Sequence, residues 1–287
     1  MQVLCCDDDF ERWRAQARHL LMQQVAPHAV VWADQVQPQL FANAPNADEQ
    51  PAIVPALPPP RVSAQLLGEL ETAAQYRTPG RWNLLYRVLW RVVEGERHAG
   101  LAGDEDGSEL QRRIKAVRRE AHHLHAFVRF HPLTDHPWLD YVAWHECAHD
   151  VLASASMHFA ERLGRQRWLI VSSRDAVWYD GHELHYRRTC PGEWASLAAR
   201  ARDSGDPLWE TYYSSIFNPA RLNPEVMQGH MPLRFWAGLP EGHLIAGLIS
   251  LARTGAQKHG QTEALAGKSG KVIRSLQQHS TANRKAP

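Results

Sequence analysis

The spacing of apolar residues changes twice along this chain, and that constrains the fold more than any single motif does. Up to about residue 125 the apolar positions recur at helical intervals. They are Phe10, Trp13, Ala17, Leu20 and Leu21, then Leu84, Leu85, Val88, Leu89 and Val92, then Ile114, Val117, Ala121 and Leu124. From about 126 to 187 the pattern alternates, in "FVRF", "WLDYVAW", "RWLIVS", "AVWYD" and "ELHY", with "SRD" and "DGH" suited to hairpin turns. One helical segment, "DVLASASMHFAERL", interrupts the strands. From 188 to 251 helical stretches return, among them "PLWETYYSSIF" and "MPLRFWAGL", the latter with Pro232 tolerated in a first turn. This order predicts a single α+β domain over 1–251, with a small central antiparallel sheet flanked by helical N- and C-terminal parts.

Two stretches fall outside that pattern. Residues 43–61, "NAPNADEQPAIVPALPPPR", read as a proline-rich loop within the helical 1–125 region. Residues 252–287 are rich in Gly, Gln, Lys and Ser and are expected to be a disordered basic tail. From Arg253 onward there are seven Lys/Arg and one acid, so the body carries 25 basic and 30 acidic side chains, a net −5. Total charge therefore does not draw the body to polyanions, and a nucleic-acid surface has to be a local patch. No apolar run of about 18 residues predicts a transmembrane helix. The first residues lack a signal-peptide pattern, and the four cysteines form no C-x-x-C pair, so a cytoplasmic chain with free thiols is expected. Asp7, Asp8 and Asp9 stand where a helix start favours negative charge, which explains them without chemistry.

"WHECAHD", residues 144–150, contains His145, Glu146 and His149 in the order H-E-x-x-H. That pattern binds zinc when one helix spans both histidines. Here "WLDYVAW" argues for a strand reaching Trp144 or His145, with a helix beginning near Asp150, so the two imidazoles share no helical face. The positions where a third ligand would follow are Leu152 and Ala155. A zinc site is not expected. Glu146, His149 and His158 remain the candidates for acid, base or ligand chemistry. There is no Gly-rich phosphate loop, no Gly-x-Ser-x-Gly and no cysteine cluster, so neither a metal nor an organic cofactor is expected.

A second constellation is basic. In "ELQRRIKAVRREAHHLHAFVRFHP", Arg112, Lys115, Arg119 and His122 fall on one side of a helix whose other side is apolar. Arg118 belongs to the same run; Arg129 lies on the following strand, and Arg162, Arg165 and Arg167 precede the next. Such side chains hold phosphates without reading bases.

Several blocks, taken together, resemble a bacterial family of DNA-repair (DNA-metabolism) proteins built on a domain of unknown function. "CCDDDFERW" is similar to the family's opening. "VRREAHHLHAFVRF" is similar to its strongest block, through Arg119, Glu120, Ala121, His122, Phe127, Arg129 and Phe130. "ECAHDVLASASMHFAERL" matches the next block at Glu146, His149, Asp150, His158 and Phe159. "RWLIVSSRDAVWYDG" resembles its hairpin. The stretch from Leu208 to Glu241 resembles its C-terminal signature, with Arg221, His230, Arg234 and Trp236 in place. Where this chain has His145 the family has an apolar strand residue, and Cys147 and Ala148 replace its Pro-Asp. Members occur as stand-alone chains encoded beside a radical-SAM protein, or fused ahead of a uracil-DNA glycosylase domain. This chain is expected to be of the stand-alone kind, so glycosylase activity does not carry over.

What the resemblance implies is an accessory protein that binds DNA and works with a partner repair enzyme, the radical-SAM protein. The candidate contacts are Arg112, Lys115, Arg118, Arg119, His122, Arg129, Arg162, Arg165, Arg167, Arg221 and Arg234. Two alternatives stand beside it: a protein-interaction partner without DNA contact, and a nucleic-acid-processing enzyme using Glu146, His149 and His158.

Overall fold

The computed structural model describes residues 2–33, 60–203, 207–218, 223–236 and 238–253. Most of the proline-rich loop, the basic tail from 254 and Arg221 lie outside them. The chain divides into two compact units, one ending at Asp206 and one beginning at Pro207.

The first unit opens with a two-stranded parallel sheet, β1 (Gln2–Cys5) beside β2 (Val30–Ala33), joined through helix α1 (Phe10–Met22). Asp9 caps α1, its carboxylate accepting the Arg12 N–H at 2.8 Å. Helices α2 (Ala64–Ala74) and α3 (Arg81–Val93) follow. The apolar spacing runs through both, but the chain breaks between them, where Gly80 takes a left-handed φ of +66°. Trp13, Trp32, Trp82 and Tyr86 pack into one aromatic group at the centre of this helical core.

Helix α4 (Glu105–Phe127) is the spine of the unit. Leu110 and Ile114 enter the helical core, while Val117 and Leu124 enter a second core against the sheet. One amphipathic stripe thus serves two cores. Its first turn is capped by Asp104, which accepts from the N–H groups of Asp106 and Gly107 at 3.0 and 3.2 Å.

The main sheet has the order β3 (Phe130–Pro132), β4 (Tyr141–Trp144), β5 (Trp168–Val171), β6 (Ala176–Tyr179) and β7 (Leu184–Arg187). The small sheet among helices is the one the sequence predicts, and three of its four seams are antiparallel. The β4–β5 seam is parallel, pairing Tyr141 with Trp168 and Trp144 with Val171. The cause is the connection: α5 (Leu152–Ala155) and α6 (Met157–Leu163) carry the chain back to the starting end, as a parallel crossover must. The single helix expected over this segment is two, meeting at Ser156. "FVRF" is divided as well, Phe127 closing α4 and Phe130 opening β3. Trp168, Ile170 and Val177 face the core beneath α4, α5 and α6. Leu169, Val171 and Ala176 face the other side, beneath α7 (Gly192–Asp203). All of β5 is buried, as befits a central strand covered on both faces.

The second unit holds α8 (Pro207–Ile216), α9 (Pro224–His230), α10 (Leu233–Trp236) and α11 (Gly242–Arg253). Asn223 caps α9 through the Val226 N–H at 3.1 Å, with Pro224 in the first turn. Phe235, Leu239 and Ile245 are buried in it. Among the described residues no helix is long and apolar enough to cross a membrane.

Two glycines in this fold give opposite expectations. A Cβ at Gly107 would lie 2.1 Å from the Leu101 carbonyl oxygen, so α4 can begin there only without a side chain. Gly107→Ala is expected to cost about 2 kcal/mol or more. At Gly68, exposed within α2, an added Cβ meets nothing within 4 Å, so Gly68→Ala is expected to stabilise by up to about 1 kcal/mol. Urea unfolding midpoints of the two variants check both signs.

Candidate functional site

The H-E-x-x-H residues do not share a helix. β4 ends at Trp144, the His145 N–H donates to the Val171 carbonyl at 2.9 Å, and residues 145–151 are irregular before α5 begins at Leu152. Glu146 is exposed and turns to the β5–β6 connection, where it accepts the Ser173 N–H at 2.8 Å and the Ser173 hydroxyl at 3.0 Å. His149 lies against the Tyr76 ring, centroids 4.3 Å apart. His158, on α6, lies against His125 at 4.4 Å. The three candidate catalytic residues therefore face three different neighbours. Among the described residues no group of three or more His, Cys, Asp or Glu could hold a metal ion.

What the 145–151 segment does build is a charged clamp. Arg81, the first residue of α3, is buried at 5% exposure. One of its terminal nitrogens meets Asp150 at 2.6 Å and the other meets Asp8 at 2.5 Å. Arg77 donates from Nε to Asp150 at 2.5 Å and from Nη1 to the Cys147 carbonyl at 2.7 Å. Asp175, 2% exposed, lies 3.9 Å from Arg77 and accepts from the Tyr186 hydroxyl at 3.0 Å and from the Ser172 hydroxyl. On the far side, the buried Glu120 of α4 accepts the Ala148 N–H at 2.6 Å. Burial alone would raise the Asp150 carboxyl, but the Arg81 hydrogen bond and the charges of both arginines outweigh it and hold it below its ordinary value. Burial pushes the Cys147 thiol well up, so that it stays protonated and inert. The sequence assigns Asp8 only to a helix start and does not single out Arg77, Arg81 or Asp175. Arg81 and Asp150 are 69 positions apart, so no local pattern joins them.

The basic residues divide by what they touch. Arg112 is held by Glu109 through two hydrogen bonds of 2.7 Å and reaches the Tyr76 hydroxyl at 3.2 Å. The hydrogen bond from Arg112 is the main reason the Glu109 carboxyl is lowered to about 2. Arg129 donates to the Ala126 and Val128 carbonyls at the end of α4. Arg167 forms a fork with Asp140, at 2.7 and 3.3 Å. Arg234, in the second unit, is exposed and lies 4.5 Å from the Phe235 ring. Arg162 and Arg165 are exposed, with no partner among the described residues.

Lys115, Arg118, Arg119 and His122 form one exposed group. All are exposed on α4, and at 100° per residue they fall within an arc of about 100°. The acid of this half-helix, Glu120, points inward at 3% exposure. Lys115 and Arg118 have no ion pair or hydrogen bond among the described residues. The exposed residues from Arg112 to Ala126 include no acid.

The clamp predicts an acid limit on stability. A carboxyl whose folded value is depressed stabilises above its unfolded value and loses that contribution as pH falls through the folded one. Stability is therefore expected to hold from neutrality to about pH 4 and to decline below it. Asp150→Asn should cost about 2–4 kcal/mol at pH 7, because it leaves the buried Arg81 and the half-buried Arg77 short of a counter-charge. Its own decline with acid should be shallower. Urea midpoints measured across pH report both.

A family model described as a domain of unknown function (DUF4130) matches residues 79–241. No curated protein and no solved structure matches the chain. The matched span holds α3 to α10, with Arg81, the basic face of α4, Asp150 and Asp175 inside it, and with Asp8 and Arg77 outside. It covers more than half of the sequence, and on that ground the chain belongs to the DUF4130 family.

Proposed function

We propose that this protein binds nucleic acid through the exposed face of α4 and acts as a DNA-repair accessory to a partner enzyme. The observation that supports it is the line of Lys115, Arg118, Arg119 and His122, from which Glu120, the acid of this half of the helix, is turned away. From Lys115 to His122 the helix rises about 10 Å. That is the axial length of roughly three phosphates of one strand. The contacts are to phosphate, so binding is independent of sequence. The body's net charge of −5 does not oppose this at close range, because charges more than about 8 Å away are screened at physiological salt. The partner, a radical-SAM protein, rests on the family resemblance alone. Glu146, His149 and His158 have separate neighbours, which gives the alternative of a catalytic centre no common site to act at.

The test is fluorescence anisotropy of the purified chain with labelled single- and double-stranded DNA across a salt series. Log affinity is expected to fall linearly with log salt. The triple variant Lys115→Ala, Arg118→Ala, Arg119→Ala should flatten that slope by about 2 to 3. Arg112→Ala should change it little, since that guanidinium is already held by Glu109. Glu146→Gln should leave binding unaltered. Negligible binding at low salt would overturn the proposal and favour a protein partner that makes no contact with DNA.

A further inference from the structure

At its C-terminal half, the basic face of α4 adjoins a pair of closely packed imidazoles. The rings of His125 (α4) and His158 (α6) have centroids 4.4 Å apart and planes inclined by 32°. His125 is fixed: its Nε2 lies 2.8 Å from the Ala155 carbonyl, to which it donates. Phe159 stands edge-on to both rings, at 5.6 Å from His125 and 5.4 Å from His158. Phe159 is itself buried and backed by Phe130 and Trp168. His158 is exposed, with His125 and Phe159 as its ring neighbours. His125 sits about 60° around the helix from His122 and about 20° from Arg118. Arg162, one turn beyond His158 on α6, is exposed and has no partner among the described residues, while Glu161 is the exposed acid of that helix.

We infer that the His125–His158 stack is a platform for one unpaired nucleobase, so that the face proposed above for phosphates binds single strands in preference to duplexes. The inference rests on that reading and adds a contact that is not electrostatic. A metal ion needs converging nitrogen lone pairs. Here the two rings pack against each other with planes tilted by 32°, and one nitrogen of His125 is taken by a carbonyl. A supported ring beside a cationic groove is how single strands are held without regard to sequence, because every base has a π-face. Paired bases within a duplex have both faces covered and cannot use such a platform.

The experiment compares three labelled probes of equal length: a thymidine oligonucleotide, an abasic strand of the same charge, and a duplex. Anisotropy is measured with the full chain and with His158→Ala and His158→Phe. The intact strand is expected to bind about tenfold tighter than the abasic one. His158→Ala should abolish that difference and leave the salt slope unchanged, and His158→Phe should restore it, since a ring without charge suffices. Equal affinity for intact and abasic strands overturns the platform. So does equal weakening of both by His158→Ala without rescue by phenylalanine, which would make the imidazole a phosphate contact. If the slope falls in the Lys115, Arg118 and Arg119 variant while intact and abasic strands bind alike, only the platform fails. If no probe binds at low salt, the platform and the phosphate face fail together.

Discussion

The guanidinium of Arg81, buried between Asp8 and Asp150, is the interaction on which the first unit depends. Its two carboxylates come from distant places. Asp8 follows β1, in the region of the helical core, and Asp150 closes the loop that leads into α5 beside the sheet. A charge out of water needs a counter-charge with good geometry, or the site fails. Arg81 therefore fixes where the two cores meet. The arrangement holds Asp7 and Asp8 at φ values of +49° and +57°, which short polar side chains tolerate better than most residues. Asp8 is held there from several sides, its carboxylate by Arg81 and the Trp82 indole, its carbonyl by Arg188. Hydrophobic residues of equal volume could replace such a cluster at little loss in stability. What they could not supply is the direction of the bonds that pin the 145–151 loop at Cys147 and Asp150.

Helix α4 turns that core geometry into a surface. Its inner stripe runs from Leu110 to Leu124 through both cores, so its rotation about its own axis is set by packing at two places. Once the rotation is set, the outer face is set too. Arg119 and Glu120 are neighbours in sequence but 100° apart on the helix, and that angle puts the cation in solvent and the acid on the Ala148 N–H. The same acid thus anchors the loop, and no acid stands among the exposed residues from Arg112 to Ala126.

Much of this is legible in the sequence, because it rests on periodicity. The apolar stripe of α4, the cap at Asp9, the strands around 141–144, 168–171 and 176–179, and the failure of H-E-x-x-H to share a helix all follow from local spacing. What is not legible is what depends on distant partners. The strand Val30–Ala33 is too short to announce itself and forms because β1 is beside it. The parallel seam comes from a crossover whose direction no local pattern encodes. The breaks at Gly80 and Ser156 interrupt apolar spacings that continue through them. Arg77 and Arg81 look like any surface arginines until Asp8, Asp150 and Asp175 arrive from elsewhere in the chain. The candidate surface was half visible for the same reason: its cations are local, but which of them are already occupied is not.

That occupancy explains how a chain with a net charge of +1 can present a cationic face. Arg77, Arg81, Arg87, Arg91, Arg112, Arg113 and Arg167 are each paired with a carboxylate of the fold. Those pairs cancel within a few ångströms and contribute little field outside. Lys115 and Arg118, exposed on α4, have no such pair among the described residues, so their charge reaches solvent there although the body as a whole is acidic. A screened attraction of this kind weakens steeply as salt rises. Ring stacking does not depend on counter-ions, so the His125–His158 pair beside the face is suited to holding a strand that the charges have brought in. The two contacts differ in range as well as in salt dependence: the charges act over a Debye length, the rings only on touching. On the proposed reading, capture and retention are thus separable, set by different residues on adjacent helices.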